Sequence, residues 1–323
     1  MDKTYIISIE GLDGVGKSTF AELLVNRMEL LANKECKNIN IIYKHFPNYD
    51  SESGKQIKDF LNESPEYINE HRDKLMDLFI HNRYDWYKNE YCNLDKDAYN
   101  FIVVDRYELS NYIYNIPFYD KGEMYNKMME KHDKEMKLTN YQIVPAVTVW
   151  MHCSSTLQLQ RLSKRQKTDS FELFDNQMFL RDNIKDILRT YYLTMCSGRK
   201  IIIIPILSHI MDAGWVCANH PYLDHETLMD LTKSAKNYYL KKILIELIQW
   251  RDIPKDVFMI DANSLSWKSK STFTDQLLTA FGAELDCDHN VNAEVFMHHV
   301  DIFDEGDCDK NVRENLNFVR IAR

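Results

Sequence analysis

Chemistry-bearing residues are densest at the start of the chain, where Gly11-Leu12-Asp13-Gly14-Val15-Gly16-Lys17-Ser18 combines three glycines with a lysine and a hydroxyl. Small residues let successive backbone N–H groups turn inward around an anion, and a helix directly behind the loop adds partial positive charge from its N-terminus. At this spacing Lys17 reaches the β- and γ-phosphates of a nucleoside triphosphate, and the Ser18 hydroxyl ligates Mg²⁺. A chance glycine-rich turn is the competing reading. The strand-like run before the loop and the helical periodicity after it count against that.

Two further pairs suit a nucleotide. Phe79 and Arg83 stand four apart on a helical pattern and share a face, so an aromatic plane can stack on a base while a guanidinium donates to its carbonyl. On spacing alone, a core Phe with a solvated Arg is the plainer alternative. Asp105 and Arg106 close the apolar run Phe101-Ile102-Val103-Val104, and ligands of open parallel sheets gather at such carboxyl ends. There an Asp holds Mg²⁺ through water and an Arg grips a phosphate as a fork; an ion pair capping the strand competes. The amide of Asn111 can pair with one edge of a pyrimidine.

The elements that must position these groups alternate. Strand-like runs occur at Tyr5–Glu10, Ile39–Tyr43, Phe101–Asp105 and Ala146–Met151. Helical spacing follows Lys17 (Phe20, Leu23, Leu24, Met28, Leu31) and recurs near 53–62, 71–91, 154–165 and 175–192. This predicts an α/β fold, a three-layer α/β/α of the P-loop type with a mostly parallel sheet. Past about residue 193 the pattern loosens. Ile201–Ile206 and Val257–Asp261 are both strand candidates, a helix is expected near 226–250, and the tail from 267 is polar and acidic.

The net charge of −9 argues against general nucleic-acid binding, which needs a basic surface to release counterions. The apolar run near Ile201–Leu207 is too short to span a bilayer, so a soluble, intracellular protein with no membrane partner is expected. Seven scattered cysteines without a C-x-x-C pair suit reduced thiols. The His and Cys residues of the last third (Cys217, His220, Cys287, His289, His298, His299, Cys308) match no compact zinc spacing.

Several segments, in order, resemble the thymidylate kinase family. Ile9 through Thr19 looks like its EGxDGxGKST loop, and Phe46-Pro47-Asn48-Tyr49 its FP segment. Phe79-Ile80-His81-Asn82-Arg83 is similar to its F-x-x-N-R helix, Asp105-Arg106-Tyr107 with Ser110, Asn111 and Tyr114 to its DRY run, and Arg161 through Glu172 to its lid. The resemblance covers about residues 4–192. It implies a donor-phosphate site of Gly11, Gly14, Val15, Gly16, Lys17, Ser18 and Thr19. It implies an acceptor site of Asp13, Phe46, Tyr49, Phe79, Arg83, Arg106, Ser110, Asn111 and Tyr114, with Asp13 on the sugar 3′-hydroxyl and Tyr114 near C2′. Mg²⁺ would lie at Ser18 and Asp105.

Because the loop holds Val15 and no arginine, the catalytic cation must come from the lid run of Arg161, Lys164, Arg165 and Lys167, a pattern otherwise read as a solvated helix face. Arg165 is the expected leading cation beside Lys17 and Arg106, with Glu172 closing the lid segment. Lys44-His45 stands where many relatives carry Arg, and Ser170 where lid-arginine members often carry another.

The resemblance implies ATP-dependent phosphorylation of dTMP, with dUMP a further candidate, by a homodimer. The alternatives are a deoxynucleoside kinase and a nucleotide-responsive binding protein acting through its C-terminal region. The expected organisation is a core over 1–192, an insertion over 193–253, a final strand within 254–266 and an acidic extension over 267–323, with Lys200–Ile206 the other candidate for the last strand.

Overall fold

The computed structural model describes residues 3–32, 38–164, 174–191, 202–212, 225–251, 253–254 and 257–258. Among them, β1 (Thr4–Gly11), β2 (Ile39–His45), β3 (Tyr99–Asp105), β4 (Pro145–His152) and β5 (Ile202–Leu207) form one sheet in the order β2-β3-β1-β4-β5. Every neighbouring pair is parallel. Parallel strands covered on both faces read as unbroken apolar runs, and β4 is buried at all its positions, whereas the edge strand β2 alternates toward solvent. Along β1 and β3, Ile7, Ile9, Phe101 and Val103 join one core with Phe20, Leu24 and Met28. Ile6, Ile102 and Val104 join a second core with Trp86 and Tyr87. The sheet is therefore covered on both sides, as expected from the alternating pattern.

The helices are α1 (Lys17–Leu31), α2 (Glu52–Leu61), α3 (Pro65–Glu70), α4 (Arg72–Asn89), α5 (Glu108–Asn115), α6 (Lys121–Leu138), α7 (Ser155–Ser163), α8 (Phe174–Tyr191) and α9 (His225–Trp250). Because β1 pairs with β3 on one side and β4 on the other, the connections after neighbouring strands diverge around its carboxyl end. A crevice opens there, and Gly11 ends β1 just before the loop that lines it.

Two features depart from the sequence expectation. The strand beside β4 is Ile202–Leu207, which matches the other candidate for the last strand, Lys200–Ile206, and lies inside the segment otherwise read as an insertion. Of 254–266, the described residues give a turn at Val257 and a single antiparallel bridge between Phe258 and Ala32. The apolar pattern there marks burial, with the Phe258 ring 4.8 Å from that of Phe101, and a strand-like run alone does not separate burial from pairing.

The second departure is α6, which no apolar stripe announces. Its buried face carries Met124, Met128 and Met136 together with Lys131, His132 and Glu135. Lys131 is satisfied by Asp73 at 2.9 Å and Asp77 at 2.7 Å on α4, so charge pairing replaces part of the usual hydrophobic seam. After β5, α9 packs on β4, β5 and the tight turn Ser208–Met211, and its Ala235, Tyr239 and Ile243 are buried. Among the described residues, no helix is long and apolar enough to cross a membrane.

Candidate active site

The loop after β1 closes against β4. Gly11 has φ +149°, and a Cβ there would stand 2.4 Å from the Met151 carbonyl oxygen, so only glycine fits. Gly16, at φ +93°, caps α1 in the left-handed region and turns the chain into the helix. The loop amides and the start of α1 thus converge where an oligophosphate would be held. Lys17, 5% exposed, donates from Nζ to Leu12 O at 2.7 Å and lies 4.0 Å from Asp13 Oδ1. Burial and the nearby Arg106 push its pKa down to about 8, against the pull of Asp13, Asp105 and Glu10.

Beside it, Ser18 Oγ donates to Asp105 Oδ2 at 2.5 Å, and His45 Nδ1 stands 3.2 Å from the same oxygen. Burial works to raise the Asp105 pKa, but the His45 hydrogen bond, Lys17 and Ser18 outweigh it and keep the carboxyl below its ordinary value. The other oxygen, Oδ1, is buried without a hydrogen-bond partner. An orphaned carboxylate oxygen next to a serine hydroxyl is a hard-oxygen donor set that fits Mg²⁺, an ion that takes few protein ligands.

Asp13 is the meeting point of the loop and the strand-end residues. Arg106 Nη2 donates to its Oδ1, Tyr114 OH to its Oδ2 at 2.8 Å, and Gln177 Nε2 to the same oxygen at 3.4 Å. Burial opposes its charge, yet Arg106 and Lys17 win and bring its pKa down to about 2. Arg106 follows β3 with φ +65°, a left-handed conformation rare for a branched-off charged residue, and its N–H donates to Ile9 O at 3.0 Å. That backbone bond holds the sharp turn that aims the guanidinium back toward the phosphate loop.

Glu10, 1% exposed, braces the same turn by accepting from Tyr107 N at 3.0 Å and Ser110 Oγ at 2.5 Å. Burial raises its pKa to about 7, against Ser110, Lys17, Arg83 and Arg106. A carboxyl raised in the folded state contributes stability below its ordinary pKa of 4.5 and loses it as pH climbs through about 7. Replacing Glu10 with Gln should remove that part of the decline, read as the difference in Tm between about pH 5 and about pH 8. An unchanged difference would contradict the raised pKa.

Asp13, Lys17, Ser18, Arg106 and Tyr114 line one cavity of about 710 Å³. Its wall includes Asp13 to Thr19, then Phe46, Tyr49, Phe79, Arg83, Arg106, Ser110, Asn111 and Tyr114, so the predicted donor and acceptor sets are contiguous. Phe46 also packs against Trp86 and Tyr107, and the Asn111 amide donates to Met76 O at 3.2 Å. Gly11 and Asp105 lie behind this wall, the one through its backbone turn and the other through Ser18. Arg161 is tied to the loop, donating to Gly14 O at 3.0 Å and to Asp212 Oδ2 at 2.6 Å. Lys164 is exposed at the end of α7, and Arg165, Lys167, Ser170, Phe171 and Glu172 lie outside the described residues.

Several partners of the predicted residues were not legible in the sequence, namely Glu135, Gln158, Gln177 and Lys236. Arg83 is 2% exposed and gripped by Glu135 of α6 through Nε–Oε1 at 2.5 Å and Nη2–Oε2 at 2.6 Å. Gln158 Nε2 donates to Asp13 O at 2.9 Å and to Gln177 Oε1 at 2.9 Å, tying α7 and α8 to the loop. Lys236 of α9 borders the cavity, as do Met211 and Asp212. None carries a local motif; the signal for Glu135 was only a glutamate among methionines.

A sequence profile of the thymidylate kinase family matches residues 9–210, more than half of the chain. The chain belongs to the thymidylate kinase family. A thymidylate kinase of African swine fever virus, from a Kenyan pig isolate, is 37% identical over 109 residues, which are 34% of this chain and 42% of that protein. The Badajoz-strain thymidylate kinase of the same virus is 40% identical over 70 residues, 22% of this chain and 27% of that one. The chain thus spans less than half the length of these curated relatives. A solved thymidylate kinase from Candida albicans aligns with a TM-score of 0.41 at 21% identity, over 62% of this chain and 83% of that one. The family match ends at 210, so Asp212 and Lys236 reach the cavity from beyond the matched segment.

Proposed function

We propose that this member of the thymidylate kinase family transfers the γ-phosphoryl group of ATP to the 5′-phosphate of dTMP, giving dTDP and ADP. The observation that carries the reading is the single cavity joining the phosphate loop to an aromatic and amide-lined slot, with Arg106 and Asp13 between them.

Phosphoryl transfer needs little covalent help, so its catalysts are positioned charge and in-line geometry. Lys17 would neutralise charge on the donor's β- and γ-phosphates, and the loop amides would hold them. Arg106 would take the acceptor phosphate as a fork, with Asp13 steering it and addressing the sugar 3′-hydroxyl. Phe79 would stack on the base while Arg83 and Asn111 meet its polar edge, and Phe46 and Tyr49 would wall the slot. Ser18 and Asp105 would hold Mg²⁺, which would supply charge neutralisation for the donor phosphates. Arg165 is the proposed lid cation.

An ADP-release assay over a panel of nucleoside monophosphates, with thymidine included, tests the acceptor. Turnover of dTMP without turnover of thymidine is expected. Turnover of thymidine with none of dTMP or dUMP would replace this reading with that of a deoxynucleoside kinase.

The Tyr114 hydroxyl, held on Asp13 at 2.8 Å, would crowd the sugar C2′ position. Tyr114→Ala should therefore narrow the preference for dTMP over its ribonucleotide by about tenfold, seen as a ratio of kcat/KM values. An unchanged ratio would remove Tyr114 from sugar selection.

A further inference from the structure

Arg83 and Glu135 form the most enclosed ion pair bordering the cavity, with side chains 2% and 1% exposed. The carboxylate takes Nε and Nη2 together, at 2.5 and 2.6 Å, which fixes the guanidinium in its plane. Tyr107 backs the pair, its ring centroid 5.6 Å from Arg83 Cζ and its hydroxyl donating to Ile143 O at 2.8 Å. Glu135 is itself anchored. On α6, three residues earlier, His132 bonds Glu108 of α5 through Nδ1, and Tyr112 OH donates to Glu108 Oε1 at 2.7 Å. Lys131 ties the same helix to Asp77 on α4 at 2.7 Å. Helices α4, α5 and α6 are therefore cross-braced by charge around Arg83, and α6 holds its register through polar contacts.

A guanidinium has donors and no acceptor. With Nε–H and one N–H of Nη2 committed to Glu135, the donors left to Arg83 are on the Nη1–Nη2 edge, and Arg83 borders the slot beside Phe79 and Asn111. A base meeting that edge through a carbonyl oxygen is matched. A base meeting it through an exocyclic amine sets donor against donor, in a place where water has little access to relieve the conflict.

We infer that Glu135 is a positioning residue that sets base selection, locking Arg83 so that the slot accepts a pyrimidine with a carbonyl at this edge (thymine or uracil) and rejects cytosine. This deepens the dTMP reading and rests on it. A purely structural role would make Glu135 matter only through stability. A selecting role makes it matter to the choice of base even where stability is intact.

The test compares wild type, Glu135→Gln, and the double variant Arg83→Met/Glu135→Met, measuring KM for dTMP and for ATP, kcat, the ratio of kcat/KM for dTMP over dCMP, and Tm. Gln keeps the shape but sets its own N–H₂ against one guanidinium N–H, so Arg83 loses its lock. Glu135→Gln is expected to raise KM for dTMP by about tenfold, with KM for ATP within about twofold, and to lower the dTMP-over-dCMP ratio by about tenfold. Removing one partner of a buried pair also destabilises the fold, whereas replacing both by apolar residues is often neutral. The double variant should therefore recover Tm and keep the low dTMP-over-dCMP ratio. If Glu135→Gln does not fold, Glu135→Asp, which keeps the charge but shortens its reach to Arg83, takes its place with the same expected directions and the same overturning result. Overturning results are a Glu135→Gln protein with unchanged KM for dTMP and unchanged ratio, or a double variant that regains selectivity along with stability. A wild-type protein that turns over no nucleoside monophosphate would instead fail the underlying reading, and the wild-type arm shows which has failed.

Discussion

Arg106→Ala is expected to lower kcat/KM for dTMP by about a thousandfold, on the order of 4 kcal/mol of transition-state stabilisation. Arg106 sits between the phosphate loop and the acceptor slot, and its guanidinium is bonded to Asp13. Two losses therefore combine. The acceptor phosphate loses its fork. Asp13 loses the largest of the influences that hold it ionised near a pKa of about 2, so burial raises it. Arg106→Lys keeps the charge but not the paired donors, and should recover only part of the activity. The backbone makes the site demanding as well, because a non-glycine residue at φ +65° is strained by about 1 kcal/mol and is held there by the Ile9 carbonyl. Steady-state kinetics on the three proteins, with dTMP varied at fixed ATP, checks this. Arg106→Ala activity within tenfold of wild type would remove Arg106 from the reacting phosphates.

Lys17→Ala should cost a similar factor, on the order of a thousandfold in kcat/KM for ATP, while leaving dTMP binding largely intact. The separation follows from placement. Lys17 is part of the phosphate loop and the first turn of α1, whereas Phe79, Arg83 and Asn111 belong to α4 and α5. Its one close hydrogen bond, to Leu12 O at 2.7 Å, lies within the loop itself, so the fold depends little on it. Its lowered pKa sharpens the expectation. Burial and Arg106 bring it to about 8, and a bound polyphosphate would restore its full charge. Calorimetric titration with dTMP beside ATP kinetics distinguishes the outcomes. Equal loss of dTMP binding would mean that the loop and the acceptor slot are one structural unit.

The loop was legible because its chemistry is local. Gly11 to Ser18 act through consecutive backbone amides, and the strand before and helix after them announce themselves by periodicity. The four-residue spacing of Phe79 and Arg83 likewise fixed a shared helix face, and both residues border the cavity. What could not be read was pairing across the fold. Glu135 lies 52 residues from Arg83, and Gln177 lies 164 from Asp13. Neither is marked by a motif. Helix α6 was missed for the same reason, since its inward Lys131, His132 and Glu135 break the apolar period that signals a buried face. The fifth strand was ambiguous because Ile202–Leu207 and Val257–Phe258 are both apolar, and only the ladder with β4 separates a strand from a buried bridge.

Asp105 Oδ1 is buried and unpartnered beside Ser18, the proposed place of a divalent ion, and one experiment reaches donor, acceptor and ion together. ATP labelled in its γ-phosphoryl group is incubated with dTMP and the protein, with Mg²⁺ or with a chelator, and the products are separated. The proposed function predicts label in dTDP when Mg²⁺ is present and none when it is chelated. Label released only as inorganic phosphate, or carried only on a nucleotide other than dTDP, would contradict it.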